Sequence, residues 1–245
     1  MGYWPPRELS THEVEELVQD FGKSAALAVK AGVDVLEIHA AHGYLINQFL
    51  SPVTNRRTDK YGGSYENRVR LLREIAQVIR AVIPSDTPLF LRISATEWLD
   101  GLPVAEKSGG SWDMAASLEL VRLLPELGID FLDVSSGGNH EDQKIEPHTD
   151  YQIDLAGQLR KAIRAAGATT LVGAVGRITQ AEAAEEIIKG AAAPTGEAST
   201  LSTLQPKADA ILIARQFLRE PEWAINAAKK LGVKITIPSQ FGRAL

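Results

Sequence analysis

Short apolar runs alternate with longer helical patterns along the 245-residue chain, and this alternation constrains the fold more than any other feature. The apolar runs are rich in β-branched residues and read VDVLEIHA, PLFLRIS, IDFLDVSS, TLVGAV and ADAILIA. Such alternation predicts right-handed βαβ units and a parallel sheet. Because the runs are so uniformly apolar, their strands should be buried on both faces, as in a barrel or a doubly wound sheet. The sequence therefore predicts an α/β fold with five parallel strands.

Capping residues predict where the first two long helices begin and end. Ser10 or Thr11 can cap the first helix, and Gly32 lies where a C-cap glycine is expected. Ser64 can cap the second helix, which should stop at Pro84 because proline cannot continue a helix.

Two further segments bear on the organisation of the chain. The run WDMAASLELVRLLPELG predicts one helix that continues past Pro125. Residues 191–207 are small, polar and proline-containing, which predicts a loop insertion between a helix and the last strand. No other linker is evident, so residues 1–245 are predicted to form a single domain.

Composition excludes several classes of protein. The formal net charge of −5 disfavours a nucleic-acid binder, which normally carries a basic face. The absence of cysteine excludes a disulfide framework, a thiolate metal site and a thiol nucleophile. The chain starts without an apolar leader and contains no apolar run long enough to span a membrane. These features predict a soluble, cytoplasmic protein with no membrane partner.

Two histidines and a tyrosine follow the first predicted strand. His39 and His42 would point to opposite faces of a continuous strand, so they converge only if the strand ends at His39 and the chain turns near Gly43. Two imidazole donors could then stabilise negative charge on one carbonyl oxygen, and the phenol of Tyr44 could deliver a proton. A pair of surface-loop histidines is the alternative. A zinc site is disfavoured because no suitable third ligand lies close in sequence.

The stretch NRRTDKYGGSYENR follows and is long for a loop between a strand and a helix. Loops of this length are usually functional or held by their own contacts. Gly62 and Gly63 permit a positive φ angle. The sequence predicts an ordered loop at a helix start, in which most of the charged side chains are structural.

Together these two stretches resemble the Old Yellow Enzyme family of flavin-dependent ene-reductases. The motif N-x-R-x-D-x-Y-G-G-S-x-E-x-R is preceded by E-I-H-x-A-H-G-Y-L-x-N-Q-F-L-S-P, and the likeness extends from about Pro5 to Arg243. The His-His pairing is that of the thermophilic-like branch, which some fungal members share. The resemblance implies an FMN-dependent oxidoreductase on a TIM (β/α)₈ barrel. Such an enzyme takes hydride from NADPH or NADH and reduces the activated C=C bond of α,β-unsaturated carbonyl compounds.

The resemblance also implies roles for individual residues near the flavin ring. His39 and His42 would hold the carbonyl oxygen of the substrate, and Tyr44 would be the proton donor. Arg92, a lone cation in an apolar strand, would lie beside the pyrimidine end of the flavin. The alternative for Arg92 is an inter-strand salt bridge, because buried arginine is costly unless it is paired.

The resemblance places the FMN phosphate at the last two strands. Gly173 and Gly176 flank one strand end, and Ala214 and Arg215 follow the other, with Ala214 in place of the usual glycine. Loops in these positions commonly bind phosphate through backbone N–H groups. Arg243 matches an arginine that reaches the active site of a neighbouring subunit, which would imply a homo-oligomer. A solvated tail arginine is the alternative reading.

The number of strands departs from the family pattern. The five βα units correspond to strands 4–8 of the family barrel, so strands one to three are expected to be missing. Five strands would leave two unpaired sheet edges. The chain would then be a fragment, a non-catalytic remnant with little or no flavin binding, or a protein that associates to cover these edges. A phosphate-binding barrel lyase is disfavoured, since no Schiff-base lysine lies at a strand end.

Overall fold

A computed structural model describes residues 6–145, 150–190 and 205–242 of the chain. It contains one parallel sheet in which the strands are neighbours in chain order: β1 (Leu36–Ala40), β2 (Leu89–Ser94), β3 (Phe131–Ser135), β4 (Leu171–Val175) and β5 (Ala210–Leu212). The predicted α/β fold with five parallel strands is confirmed. Because every pair of neighbouring strands is parallel, all the carboxyl ends lie on one edge of the sheet, where barrel enzymes build their active sites.

Helices connect and flank the strands. The long ones are α1 (Thr11–Lys30), α3 (Tyr65–Val82) and α6 (Tyr151–Ala165). The shorter ones are α2 (Leu45–Leu50), α4 (Pro103–Ser108), α5 (Met114–Leu120), α7 (Ala181–Lys189), α8 (Arg215–Arg219) and α9 (Trp223–Lys230), and a 3₁₀ turn follows at Ser239–Phe241. Within the residues that the structure describes, no helix has the length and apolarity that a membrane span requires.

The predicted helix caps are present. Ser10, rather than Thr11, caps α1 and forms a capping box with Glu13, whose carboxylate accepts the Ser10 N–H at 2.8 Å. Ser64 caps α3 by accepting a hydrogen bond from the N–H of Asn67 at 3.3 Å. The two helices therefore begin where their capping residues predict.

The helix predicted to continue past Pro125 is shorter than expected. α5 ends at Leu120, and the chain then passes through successive turns. Backbone hydrogen bonds of the i→i−3 type begin there. The N–H of Arg122 donates to the carbonyl of Glu119 at 3.2 Å, and the N–H of Leu123 donates to the carbonyl of Leu120 at 2.9 Å. Pro125 lacks an N–H and would clash with the preceding turn of a regular helix, which explains the early end.

The sheet has one fully covered face and one partly open face. The covered face packs under the helices and forms the core, with residues such as Ile38, Leu91 and Val134 at most 2% exposed. The other face carries a different set of side chains, which includes Glu37, His39, Phe90, Arg92, Phe131 and Asp133. Among the described residues neither β1 nor β5 has a partner on its outer side, so the sheet is open and has the two edges that the strand number predicts.

The predicted insertion at residues 191–207 falls mainly on residues 191–204, which lie outside the described part of the chain. Residues 205–207 lead directly into the last strand, where the N–H of Lys207 bonds to the carbonyl of Ile187 at 2.8 Å. That residues 1–245 form one domain stays a prediction.

Candidate active site

A sharp turn at the end of β1 brings two histidines and a tyrosine together. β1 ends at Ala40, and the next residues include His42 with φ +61° and Gly43 with φ +74°. As a result the ring centroids of His39 and His42 lie 5.4 Å apart, and those of His39 and Tyr44 lie 5.7 Å apart. The convergence that the spacing predicted is therefore present, with the strand ending one residue later than expected.

The turn is fixed by its own hydrogen bonds and by close packing. The N–H of Gly43 donates to Oδ1 of Asn47 at 2.6 Å, and Nε2 of Gln48 donates to the carbonyl of Gly43 at 2.8 Å. A Cβ atom at Gly43 would lie 2.4 Å from Cβ and 2.6 Å from the backbone nitrogen of Asn139. Position 43 therefore needs glycine for both its φ angle and its contact with this neighbouring loop.

Two serines on neighbouring strands hold His42 in place. Its N–H donates to Oγ of Ser94 at 2.9 Å, and its Nε2 lies 2.8 Å from Oγ of Ser135. Because Nε2 is engaged by Ser135, Nδ1 is the ring nitrogen of His42 that remains for a ligand. This contact shows how Ser135 positions the imidazole of His42.

Both histidines are held in the neutral form at neutral pH. Burial lowers the pKa of His39, and the charge of Arg92 lowers it further. Burial, Arg92 and His39 together lower the pKa of His42 to about 4. A neutral imidazole carries one N–H donor and one acceptor nitrogen, so each ring can donate one hydrogen bond to an oxygen.

Arg92 lies in a row of residues that crosses the open face of the sheet. The strand register aligns His39 with Arg92 and Arg92 with Asp133. Nε of Arg92 is 3.2 Å from Oδ2 of Asp133, and 30% of the Arg92 side chain remains exposed. The inter-strand ion pair considered as an alternative is therefore present, while part of the guanidinium still faces the open side of the sheet.

Asp133 is a site residue that sequence reasoning missed. Its side chain is 1% exposed, and neither carboxylate oxygen has a hydrogen bond to a described residue. Burial raises the pKa of Asp133 to about 6, although the nearby Arg92 opposes the increase. The available signal was an acidic residue in the otherwise apolar run IDFLDVSS, but its partner depends on the strand register, which the sequence does not give.

A second carboxylate joins the loops that follow β1 and β2. Oε1 of Glu97 accepts hydrogen bonds from Oγ of Ser51 at 2.7 Å and from the backbone N–H of Trp112 at 2.8 Å. The indole N–H of Trp112 donates to the carbonyl of Ser94 at 2.8 Å. Burial raises the pKa of Glu97, which is 4% exposed. Glu97 thus holds together the loop regions beside the histidine turn, and no sequence pattern indicated this role.

The long loop before α3 is held by its own charged residues, as predicted. Arg57 pairs with Asp59 at 2.5 Å and also donates to the carbonyl of Leu9 at 2.6 Å. This pairing lowers the pKa of Asp59. Gly62 is required by close approach, because a Cβ atom there would lie 2.1 Å from the carbonyl oxygen of Arg57. Of the two glycines that permit a positive φ, Gly63 adopts one, at +80°, whereas Gly62 does not.

The residues assigned to phosphate binding separate into two groups. Gly176 directly follows β4 with φ +121°, and Ala214 and Arg215 begin α8 after β5. Since Val175 pairs with Leu212, these two strand ends are neighbours. Among the described residues, the N–H groups of Gly176 and Ala214 have no hydrogen-bond acceptor.

Gly173 lies inside β4 rather than at its end, contrary to expectation. A Cβ atom there would lie 2.4 Å from Leu212 and 2.5 Å from the ring of Phe131. The lack of a side chain at Gly173 therefore leaves room for the side chains of Leu212 and Phe131. The remaining predicted residue, Arg243, lies outside the described part of the chain.

Gly176 contributes to the wall of a cavity of about 100 Å³. It is lined by Ile153, Ile187 and the carboxylate-bearing residues Asp150 and Glu186, among others. The lining also includes the basic residues Arg177 and Lys207 and Gly176 itself, so the cavity adjoins the end of β4.

Comparison with known proteins identifies relatives of the chain. Residues 2–233 match the model of the NADH:flavin oxidoreductase / NADH oxidase family. The chain is 42% identical over 240 residues to an NADPH dehydrogenase of Bacillus subtilis strain 168, covering 97% of this chain and 61% of that protein. It is 40% identical over 239 residues to an NADH:flavin oxidoreductase of Gibberella zeae, covering 96% of this chain and 53% of that protein. The chain thus spans between about half and three-fifths of the length of these relatives.

The chain also covers only part of the solved structures to which it is similar. An old yellow enzyme homologue from Zymomonas mobilis superposes with a TM-score of 0.68 and 26% identity, over 97% of this chain and 58% of that chain. A 2-naphthoyl-CoA reductase in complex with 2-naphthoyl-CoA gives a TM-score of 0.74 and 26% identity, over 94% of this chain and 31% of that chain.

Proposed function

Because the chain belongs to the NADH:flavin oxidoreductase / NADH oxidase family, we propose that it supplies the substrate-binding and proton-donating part of an FMN-dependent ene-reductase. The family uses FMN, with NAD(P)H as the reductant. The proposed substrates are small α,β-unsaturated carbonyl compounds. The observation that carries the proposal is the convergence of His39, His42 and Tyr44 at the carboxyl end of β1.

The residues present fit an FMN molecule at two points. At the neighbouring ends of β4 and β5, the N–H groups of Gly176 and Ala214 lack acceptors among the described residues, which suits a phosphate. Ala214 in place of glycine keeps the backbone N–H. Arg92 presents part of its guanidinium on the open face, where it would stabilise negative charge at the pyrimidine end of a reduced flavin.

Three side chains would handle the substrate. Bound FMN would supply the hydride that reduces the β-carbon. His39 and His42, which are neutral, would each donate one N–H to the carbonyl oxygen, where negative charge develops. Tyr44, which is 59% exposed, would donate the proton to the α-carbon. Nε2 of His42 would accept the hydroxyl proton of Ser135, so the neutral ring would carry its own proton on Nδ1 and donate from that nitrogen.

A second candidate function is a non-catalytic barrel remnant with little or no flavin binding. The open sheet favours it, because β1 and β5 have no outer partner among the described residues. Unpaired edges also leave the face that would contact a flavin ring partly uncovered. The two functions predict different results once the missing strands are supplied: the first predicts flavin binding and alkene reduction, and the second predicts neither.

The experiment uses a completed barrel, in which this chain is joined to the part of the B. subtilis NADPH dehydrogenase that it does not match. We expect the purified protein to contain FMN, to be reduced by NADPH and to be reoxidised by 2-cyclohexenone. Replacing His39 and His42 together by alanine should weaken binding of a phenol, measured by its perturbation of flavin absorbance. His12→Ala is the matched control, since His12 is an exposed histidine on α1 whose ring lies near the carboxylate of Glu16.

Unchanged phenol affinity in the double variant would overturn the histidine assignment. A completed barrel that folds but contains no flavin would favour the remnant instead.

A further inference from the structure

The ion pair of Asp133 and Arg92 differs from another arginine–aspartate pair at the same sheet. Asp209, directly before β5, accepts hydrogen bonds from the guanidinium of Arg160 at 2.9 Å and from the backbone N–H of Val172 at 2.9 Å. Burial opposes the ionisation of Asp209, but these hydrogen bonds prevail and its pKa is lowered. A carboxylate that is held in this way stabilises the fold in its charged form.

Asp133 lacks such support. Its side chain is almost fully buried, the only ion pair that it forms with a described residue is the one with Arg92, and neither oxygen accepts a hydrogen bond from the described part of the chain. Because burial raises its pKa to about 6, Asp133 is ionised at neutral pH, and there its charge costs stability. A buried charge that weakens the fold is typical of a functional site.

The contact with Asp133 uses only one nitrogen of the Arg92 guanidinium. Nε lies 3.2 Å from Oδ2 of Asp133 and is buried, whereas part of the Arg92 side chain remains exposed. No hydrogen bond joins Arg92 to a described residue. The terminal nitrogens are therefore left for a group that binds on the open face.

A second carboxylate on this face, that of Glu37, provides a comparison. The register pairs Glu37 with Phe90, two residues before Arg92, and Glu37 forms no ion pair with a described residue. Burial raises the pKa of Glu37 and the charge of Arg92 opposes the increase, while the charge of Glu37 contributes to the raised pKa of Asp133. Glu37 is thus influenced by the same charges without forming an ion pair with Arg92.

We propose that Asp133 is a positioning residue for Arg92: it holds the guanidinium by Nε, and its negative charge offsets part of the positive charge that a bound anionic group would meet. This inference rests on the proposed function, in which the anionic group is the reduced flavin. An arginine without a partner would stabilise the anionic form more strongly, and the bound flavin would then give up hydride less readily. The paired arginine leaves more driving force for reduction of the alkene.

The test compares variants of the completed barrel. Asparagine at position 133 removes the charge but keeps a neutral oxygen that can accept from Nε. The measured quantity is the Kd of oxidised FMN divided by the Kd of reduced FMN. Asp133→Asn should raise this ratio about 10-fold, which corresponds to an increase of about 30 mV in the two-electron potential. Glu37→Gln is the matched control and should change the ratio much less, because Glu37 forms no ion pair with Arg92.

Two further comparisons separate this role from a structural one. In an Arg92→Gln background, Asp133→Asn should leave the ratio unchanged, because an unpaired buried carboxylate takes up a proton and is already neutral. The second comparison uses isotope-labelled arginine and measures by NMR how fast the Nε–H proton of Arg92 exchanges with water. Exchange should be slow in the unmodified protein and in Asp133→Asn, and faster in Asp133→Ala, which leaves no acceptor. Thermal unfolding shows that each variant is folded.

The inference is overturned if Asp133→Asn lowers the ratio or changes it no more than Glu37→Gln does. It is also overturned if the effect persists in the Arg92→Gln background, or if the Nε–H proton exchanges equally fast with aspartate, asparagine and alanine at position 133. A completed barrel that folds without FMN would overturn the proposed function. The exchange of the Nε–H proton needs no flavin and would then decide alone whether Asp133 holds Arg92.

Discussion

At the scale of single residues, the candidate site depends on side chains whose charge is set by burial. His39 and His42 are kept neutral beside Arg92, so they can donate to an oxygen without introducing further positive charge. Tyr44 is largely exposed and stands next to this pair. Proton delivery and oxygen binding are thus assigned to different residues, and this separation can be tested.

Tyr44→Phe in the completed barrel should slow reoxidation of the reduced flavin by 2-cyclohexenone. Loss of a general acid typically costs about 10²- to 10⁴-fold in the step concerned. Flavin reduction by NADPH should be nearly unaffected, because it needs no proton from this residue. Stopped-flow measurement of both half-reactions checks the prediction. Equal slowing of the two would mean that the substitution displaced the flavin.

Asp133 should make the protein less stable as the pH rises. Its pKa is raised from 3.8 to about 6 in the folded chain, so between these values the unfolded state loses its proton first. Unfolding then becomes more favourable with increasing pH, by roughly 1 to 3 kcal/mol from this group. When the Tm is measured at pH values above 6, Asp133→Asn should therefore raise it. Near pH 4 the substitution should leave the Tm unchanged.

The measurement is thermal unfolding of both proteins across this pH range. Asp86→Asn serves as the control, because an exposed aspartate should give no such pH-dependent difference. A Tm difference for Asp133→Asn that is the same at pH 4 and pH 8 would contradict the raised pKa.

At the scale of elements, the turn after β1 is the feature on which the site depends. It combines two successive residues of positive φ with a close contact to Asn139. Gly43 meets both demands, whereas at Gly32, with φ +88°, an added Cβ would have no atom within 4 Å. A side chain at Gly32 would therefore add only the cost of a positive φ angle, whereas a side chain at Gly43 would also overlap with Asn139.

Gly32→Ala should cost about 1 kcal/mol of unfolding free energy, the usual penalty for a side chain at positive φ. Gly43→Ala should cost more, on the order of 2 to 4 kcal/mol, because the loop at Asn139 must also move. In the completed barrel, Gly43→Ala should weaken phenol binding as well, since it displaces His42. Denaturant unfolding and phenol titration of both variants test this. Equal effects of the two substitutions would show that the contact with Asn139 is unimportant.

Elements were predictable from sequence where local chemistry decides them. The five strands and the caps at Ser10 and Ser64 follow from apolar periodicity and from side chains that accept N–H groups. The end of α5 at Leu120 was not predicted, because the apolar pattern continues through the segment that contains Pro125. The pairing of Arg92 with Asp133 could not be predicted, since it depends on the register between two strands.

At the scale of the whole molecule, the open sheet is the dominant feature. A (β/α)₈ barrel closes on itself and leaves no strand edge, whereas this sheet has free outer sides at β1 and β5 among the described residues. The open face is also unusual, because it combines the ion pair of Arg92 and Asp133 with exposed apolar side chains such as Leu171. The same face would receive a flavin ring, so closure of the sheet and cofactor binding are expected to be linked.

The 245-residue chain alone should therefore not behave as an active monomer. Leaving several large apolar side chains exposed forfeits roughly 1.5 to 3 kcal/mol each, against a total stability of about 5 to 15 kcal/mol for a compact domain. Unpaired edges also favour association between chains. We expect light scattering to show oligomers and absorbance to show little bound FMN, with both reversed in the completed barrel. A soluble monomer that binds stoichiometric FMN and reduces 2-cyclohexenone by itself would show that five strands are sufficient for the site.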